Sequence, residues 1–140
     1  MPDSIPSPKH KTLELKNGML PIPPEFGKPG DSIFVTGDPS MCLLIFHPSD
    51  FKTLEKFLNE RLNKDDQMYR LLARLVLGFA NDQIIQSDGS IYLEEQLRDF
   101  AKIDQQCIWK KIGKYIKVWP VEGFTEEDDR LNWIPDQIFA

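Results

Sequence analysis

The chain has 140 residues, of which 41% are hydrophobic and 28% charged, and its formal net charge is −5. This length suits one domain or two small fused motifs, and the apolar content is too high for an intrinsically disordered chain. The longest uninterrupted apolar run, Met41 to Phe46, is far shorter than the roughly 20 residues of a membrane span. The amino terminus is polar and proline-rich and lacks the apolar stretch of a secretory signal. We therefore expect a soluble, cytoplasmic protein.

The acidic excess is confined to the carboxyl-terminal segment. Residues 122–140 hold six acidic side chains and one basic side chain, which leaves residues 1–121 with 16 of each sign. A nucleic-acid partner requires Lys and Arg at its phosphates, and the balanced first 121 residues can provide them. The net charge therefore does not exclude such a partner.

The first elements in chain order have the character of a β-hairpin. Ile33 to Thr36 and Cys42 to Phe46 are short runs of strand-forming residues. Between them, residues 37–40 (Gly-Asp-Pro-Ser) have the composition of a hairpin loop.

Two amphipathic helices are predicted to follow as a helical hairpin. Ser49 is the expected N-cap of the first, Asp66 is that of the second, and residues 63–65 separate them. Apolar residues recur at the spacing of one helix face in each. The predicted buried stripes are Phe51, Leu54, Leu58 and Leu62 in the first helix, and Met68, Leu71, Leu72, Leu75, Val76 and Phe79 in the second.

β-type patterns return in the second half of the chain. The pattern predicts strands at Gln83 to Gln86 and Ser90 to Leu93 around an Asp88-Gly89 turn, and then a short helix from Glu95 to Ala101. A second hairpin follows, with strands at residues 107–109 and 116–119 joined through the glycine at 113. Thr125 is a possible cap for a short acidic helix, and Ile138 and Phe139 are expected either to pack or to fray.

The two β-rich parts form an internal repeat. Residues 16–26 match residues 87–97 at an offset of 71, with a turn glycine, an alternating strand and the start of a short helix. Residues 46–51 match residues 119–124 at an offset of 73. Each β-α-β unit is too small to bury a sufficient core alone, so we expect the two to fold together about a pseudo-twofold axis.

Several ordered motifs resemble the MraZ family over roughly residues 10–125. After the first hairpin comes a pattern with arginines at positions 70 and 74 and Leu-Gly-x-Ala at 77–80. Residues 97–103 (Leu-Arg-Asp-Phe-Ala-Lys-Ile) resemble a helix of that family, and residues 113–119 resemble its closing strand. So many matches in one order are specific at the level of a family.

The resemblance implies an α+β, mainly β fold, with two pseudo-symmetric AbrB-like swapped-hairpin β-α-β motifs around a central helical hairpin. It divides the chain into an arm (1–8), a first repeat with the first helix (9–62), the second helix (63–82), a second repeat (83–124) and an acidic tail (125–140). It also implies a ring-shaped homo-oligomer that binds double-stranded DNA at the nucleoid and regulates the bacterial cell-division and cell-wall gene cluster.

The family signature Asp-x-x-x-Arg is substituted in both repeats. Aligned on the turn glycines, its two positions hold Leu15 and Met19 in the first repeat, and Gln86 and Ser90 in the second. A one-residue shift in the first repeat would place Glu14 at the acidic position and would still leave a methionine at the arginine position. No DNA-contacting arginine is therefore carried over from the family.

Other polar residues near the turns are the remaining candidates for DNA contact. For the lysines of the amino-terminal arm, the alternative interpretation is that they only belong to a solvated chain terminus. These candidates are Lys9, Lys11, Lys16, Asn17, Ser87 and Ser90. Lysine can replace arginine at a phosphate, although it lacks the bidentate fork. A second basic group, formed by Lys110, Lys111, Lys114 and Lys117, is predicted to be an exposed hairpin edge that either binds DNA or blocks edge-to-edge pairing.

Arg70 and Arg74 lie one helical turn apart, and the resemblance favours a structural or intersubunit ion pair for them over DNA contact. We therefore keep two hypotheses. The first is a DNA-binding regulator of the MraZ type, and the second is an oligomeric interaction protein with the same fold that has lost direct DNA recognition.

No catalytic or metal-binding motif is visible. Cys42 and Cys107 lack C-x-x-C spacing and lie among apolar residues, so free buried thiols are expected. The histidines at 10 and 47 do not cluster with ligand residues, and the Asp pairs at 65–66 and 128–129 fit a helix cap and a solvated tail. We expect no enzyme activity, no cofactor, no small-molecule substrate and no membrane contact.

Overall fold

A computed structural model describes residues 10–63, 67–122 and 133–139, and it confirms a mixed α+β, mainly β fold. The strands in this part of the chain are β1 (His10–Glu14), β2 (Met19–Pro21), β3 (Ser32–Asp38), β4 (Cys42–Phe46), β5 (Asn81–Ile84), β6 (Ser90–Tyr92), β7 (Gln106–Ile112) and β8 (Tyr115–Pro120). The helices are α1 (Pro48–Asn63), α2 (Gln67–Gly78) and α3 (Glu95–Ala101), and a 3-10 helix covers Asp136–Phe139. Within the described residues, no helix has both the length and the apolar character needed to cross a membrane.

The order of the strands shows the predicted pseudo-symmetry. Six antiparallel strands form one sheet in the order β1-β7-β8-β4-β3-β5, and β2 pairs with β6 in a separate ribbon. The first repeat contributes β1, β3 and β4 to this sheet, and their counterparts in the second repeat are β5, β7 and β8. When each strand is treated as equivalent to its counterpart, the order of the strands is the same from either edge of the sheet. β1 of the first repeat pairs with β7 of the second, and β5 of the second repeat pairs with β3 of the first. The two repeats therefore exchange their outer strands, as the swapped-hairpin interpretation predicts.

Residue pairs at the centre of both sheets mark the pseudo-twofold axis. Leu20 pairs with Ile91 in the ribbon, 71 residues apart, and Leu44 pairs with Lys117 in the large sheet, 73 residues apart. These separations equal the two offsets of the sequence repeat. The N–H of Leu93 donates to the carbonyl of Gly18, and the N–H of Ile22 donates to that of Gly89, both at 2.9 Å. These two bonds are related by the same offset of 71.

The large sheet lies between two hydrophobic layers. On one face it packs against the ribbon, α3 and the segment around Phe26, and on the other against α1, α2 and the carboxyl-terminal segment. In β4, Leu43 and Ile45 belong to the first layer, and Leu44 and Phe46 belong to the second. A strand buried on both faces needs a continuous apolar sequence, which is why the predicted bounds of β4 are confirmed.

The buried stripe predicted for the second helix is only partly confirmed. Leu72 and Val76 are buried, but Met68 and Leu71 are 60% and 67% exposed. Apolar residues occupy more than one face of this helix, and packing against α1 and β3 selects the face that contains Ala73. The hydrophobic periodicity of the sequence does not by itself predict which of these faces is buried.

Several element boundaries differ from the predictions: β3, β7 and β8 extend further at both ends, and β6 ends one residue earlier. The first helix begins at Pro48, and the N–H of Phe51 donates to the carbonyl of His47, so His47 is the N-cap instead of Ser49. β5 begins and ends two residues earlier than predicted. The predicted helix caps at Asp66 and Thr125 lie outside the described residues.

The carboxyl-terminal residues pack and do not fray. Ile138 and Phe139 contact the second hydrophobic layer, where the ring centroid of Phe139 lies 6.4 Å from that of Phe46. Ile134 is 3% exposed, and the Nε1–H of Trp133 donates to Asp38 Oδ1 at 2.8 Å. This hydrogen bond and the apolar contacts attach residues 133–139 to the body of the fold.

Candidate nucleic-acid interface

The ribbon of β2 and β6 carries both arginine positions of the family signature. Successive side chains of a strand point to opposite faces, and Leu20 and Ile91 point into the core. Met19 and Ser90 therefore lie on the opposite, outer face of the ribbon. Met19 pairs directly with Tyr92, so Ser90 is its diagonal neighbour, at about 7 to 8 Å between Cα atoms.

The turn before β2, which we call the first turn, is a two-residue hairpin loop formed by Asn17 and Gly18. The N–H of Met19 donates to the carbonyl of Lys16 at 3.0 Å, and the reverse bond is 3.3 Å long. Both loop residues have positive φ, +56° and +79°, which defines a type I′ turn and explains the Asn-Gly sequence. The turn leaves Lys16 and Asn17 exposed at its tip.

The turn before β6, the second turn, is one residue longer. The N–H of Gln86 donates to the carbonyl of Ser90 at 2.8 Å, and Gly89, at φ +86°, donates to Gln86 at 2.9 Å. This is a three-residue loop with a glycine bulge. Lys16 and Gln86 are the residues that precede the two loops and close them by hydrogen bonds. Strand pairing therefore aligns Gln86 with Lys16, whereas alignment on the turn glycines aligned it with Leu15, because the first loop is one residue shorter. Leu15 is itself buried, at 6% exposure.

The side chain of Ser90 is directed back onto its own turn. Its hydroxyl donates to Asp88 Oδ1 at 2.6 Å and its N–H donates to the same oxygen at 3.0 Å, and the residue is 5% exposed. These two hydrogen bonds, the hydroxyl first, hold the pKa of Asp88 below its usual value. The second turn therefore presents a carboxylate that stays negative at neutral pH, beside the exposed Ser87.

Two lysine candidates lie at the limit of the described residues. Lys9 is outside them, and for Lys11 the structure describes the backbone, which pairs with Trp109 at the edge strand β1, but not the side chain. Lys16 is the lysine of this group whose side chain is described, and it is exposed at the first turn.

The predicted basic hairpin edge is wrong for Lys117. This residue is 2% exposed, its Nζ lies 3.9 Å from Asp38 Oδ2, and it sits 5.3 Å from the ring centroid of Trp119. β8 is an inner strand between β7 and β4, so neither of the two predicted roles for an edge applies. Lys111 and Lys114 are exposed beside the turn that joins β7 and β8.

A buried polar cluster surrounds Asp38, which is 2% exposed. Its Oδ2 accepts the N–H of Ser40 at 2.9 Å and the hydroxyl of the same residue, and the thiol of Cys42 lies 3.6 Å away. Burial, together with the charge of Asp38, raises the pKa of Cys42 to about 12, and burial raises that of Cys107 to about 12. Both cysteines are free and buried, as predicted, and thiols with such a high pKa are unreactive.

Arg70 and Arg74 are exposed on α2, on the part of the helix that also exposes Met68 and Leu71. The structure therefore places both arginines away from the ribbon, on the opposite side of the large sheet. Among the described residues, no group of three or more histidine, cysteine or acidic side chains is arranged to hold a metal ion.

Comparison with known proteins identifies the family. No family model matches the chain. The protein named transcriptional regulator MraZ from Nitrosomonas europaea is 33% identical over 124 residues, which cover 85% of this chain and 83% of the relative. The protein of the same name from Nitrosomonas eutropha is 32% identical over the same shares, and that from a Marinomonas species is 33% identical over 73% of this chain and 68% of its own. With these identities and this coverage, the chain belongs to the MraZ family.

Proposed function

We propose that this protein is a DNA-binding transcriptional regulator that acts as a ring-shaped homo-oligomer on the bacterial cell-division and cell-wall gene cluster, in the cytoplasm at the nucleoid. Its relatives carry the name transcriptional regulator. The observation that supports the proposal most strongly is the duplicated ribbon, in which two hairpin turns stand at opposite ends of a short antiparallel pair.

The ribbon has the shape needed to approach DNA. A two-stranded β-ribbon fits the major groove, where base edges can be reached, while residues at its ends contact the phosphates. Lys16 and Asn17 at the first turn supply an ammonium and an amide for this purpose, and Ser87 supplies a hydroxyl at the second. Lys9 and Lys11 would add charge next to β1. The ammonium is a point charge, so these lysines favour phosphate contact over bidentate reading of guanine.

Assembly of several subunits would compensate for weak contacts in each. Linked sites gain affinity by avidity without new contacts. The exposed Met68 and Leu71 on α2, bordered by Arg70 and Arg74, form an apolar patch of the kind found at interfaces between subunits. Sedimentation equilibrium should report a species several times heavier than the 16.2 kDa chain, and a stable monomer would contradict the ring.

A second function is favoured by the state of the two signature positions. Met19 carries no charge, and the Ser90 hydroxyl is committed to Asp88. An oligomer of this fold that has lost sequence-specific DNA binding, and that works by mixing with another partner, would show the same features.

Binding to DNA from the region upstream of the protein's own gene separates the two functions. The regulator should bind that duplex at low salt at least tenfold more tightly than a scrambled duplex of equal length, because specific sites exceed non-specific ones by larger factors in typical regulators. Equal binding to both duplexes, or no binding, would favour the interaction protein.

A further inference from the structure

Arg98 brings a guanidinium to the first turn although it belongs to the second repeat. It projects from α3, where its Nε donates to the carbonyl of Leu93 at 2.9 Å and its Nη2 donates to Tyr92 Oη at 3.3 Å. Its Cζ lies 5.7 Å from the centroid of the Tyr92 ring. A Cβ built on Gly18 would be 3.5 Å from the same Cζ, so the cation lies directly beside the turn.

This position is next to the missing signature arginine. Tyr92, on which the guanidinium rests, is the direct cross-strand partner of Met19. Tyr92 is 42% exposed and Arg98 is half-buried, so both reach the outer surface of the ribbon. The two named hydrogen bonds of Arg98 use two of the five N–H donors of a guanidinium, and within the described residues the other donors remain for a ligand.

The position that corresponds to Arg98 in the first repeat holds no cation. An offset of 71 places Gly27 at the position that corresponds to Arg98. The second turn instead holds Asp88, whose depressed pKa keeps it ionised. The first turn of the pseudo-symmetric ribbon is therefore better suited to a phosphate than the second, where Asp88 adds a negative charge.

The charges around Arg98 determine the side from which an anion can approach. The groove behind it is lined by Glu95, Asp99 and Asp104 as well as Lys102, which makes the groove itself unfavourable for a phosphate. The side that faces Gly18 is closed by the packing of the turn, since a Cβ on this glycine would lie 2.8 Å from the Tyr92 ring and 3.5 Å from Arg98 Cζ. A phosphate would reach the guanidinium over the exposed edge of Tyr92, and the exposed Lys16 lies at the same turn.

We propose that Arg98 donates hydrogen bonds to a DNA phosphate beside the first turn, and that this end of the ribbon supplies the main phosphate contact of each subunit. The inference rests on the proposed DNA-binding function. It assigns to a side chain of α3 the phosphate contact that Met19 cannot make.

The salt dependence of binding tests this assignment with the Arg98→Gln variant of the full-length protein. Glutamine keeps a donor for the Leu93 carbonyl but removes the charge. Loss of one phosphate contact should reduce the slope of log K against log salt by about 0.9 per bound subunit. Arg98→Lys should keep most of the slope, and Lys56→Gln, which removes an exposed charge on α1 at the far side of the sheet, should behave as the parent does.

The possible outcomes are distinguishable. A merely structural role for Arg98 would weaken binding equally at all salt concentrations, leave the slope unchanged and lower the unfolding midpoint, and this result would overturn the assignment while DNA binding itself stands. The same slope change in Lys56→Gln would also overturn it. If the parent protein binds no DNA at low salt, both the proposed function and this inference fail.

Discussion

Met19 and Ser90 occupy matching positions in the two hairpins, but their surroundings are different. Met19 is half-buried on the outer face, opposite Tyr92. Ser90 is 5% exposed and closes the second turn through two hydrogen bonds to Asp88. Substitutions to arginine at these positions should therefore have unequal effects.

Met19→Arg should tighten DNA binding, because it adds a forked cation on the face that already holds Lys16 at one end. Ser90→Arg should gain much less, since its charge is offset by Asp88 and the turn loses its internal bonds. Fluorescence anisotropy with labelled upstream DNA measures both. Tighter binding by Ser90→Arg than by Met19→Arg would contradict the asymmetric interface.

The two buried thiols predict how stability depends on pH. Their pKa values are raised to about 12 in the folded state, so between pH 9 and 12 the unfolded chain ionises while the folded chain does not. Unfolding then releases protons, and the free energy of unfolding falls as pH rises, by at most about 1.4 kcal/mol per pH unit per thiol.

Urea titrations at several pH values from neutral to alkaline check this expectation. Cys107→Ala is the control: it should be less stable at neutral pH because it creates a cavity, and its loss of stability above pH 9 should be shallower than that of the parent. Parallel pH profiles for the two proteins would show that Cys107 does not titrate as expected.

At the scale of elements, the pseudo-symmetric turns offer a matched pair of glycines. Gly18 and Gly89 both have positive φ, which costs an alanine about 1 to 2 kcal/mol. At Gly18 a Cβ would also meet the Tyr92 ring at 2.8 Å, whereas at Gly89 nothing lies within 4 Å. Gly18→Ala should therefore destabilise the protein more than Gly89→Ala does, and equal midpoints in urea unfolding would contradict the close packing of the first turn.

Local patterns predicted some elements to the residue and missed others. The bounds of β4 and α3 are confirmed, because a continuous apolar run and a short helical pattern between turn signals depend on neighbouring residues only. The exposure of Met68 and Leu71 was not predictable, since several faces of α2 are apolar and tertiary packing selects among them.

The candidate site was likewise predictable from the sequence only in part. The two turn glycines and the offset between the repeats can be found in the sequence. Two features cannot, because they depend on strand pairing between residues more than 70 positions apart: the burial of Lys117 beside Leu44, and the approach of Arg98 to Gly18. No local pattern distinguishes an inner strand with one lysine from an exposed edge strand.

At the scale of the whole molecule, the exchange of outer strands makes the two repeats one folding unit. β1 completes its sheet only on β7, and β5 completes it only on β3, so neither half can bury its strands alone. The helical layer and residues 133–139 cover one face of this sheet, and the ribbon remains accessible on the other. This arrangement leaves Lys16, Asn17 and Ser87 of the two turns exposed on one side of the sheet, and Met68 and Leu71 of α2 exposed on the other.

The central claim is that each subunit binds DNA phosphates through Lys16 and Arg98 at the first turn. The most direct measurement is the affinity of the purified full-length protein for its upstream DNA as salt rises from about 50 to 200 mM. Two phosphate contacts predict a slope of log K against log salt near −1.8 per bound subunit. A slope near zero, or no binding at the lowest salt concentration, would contradict the claim.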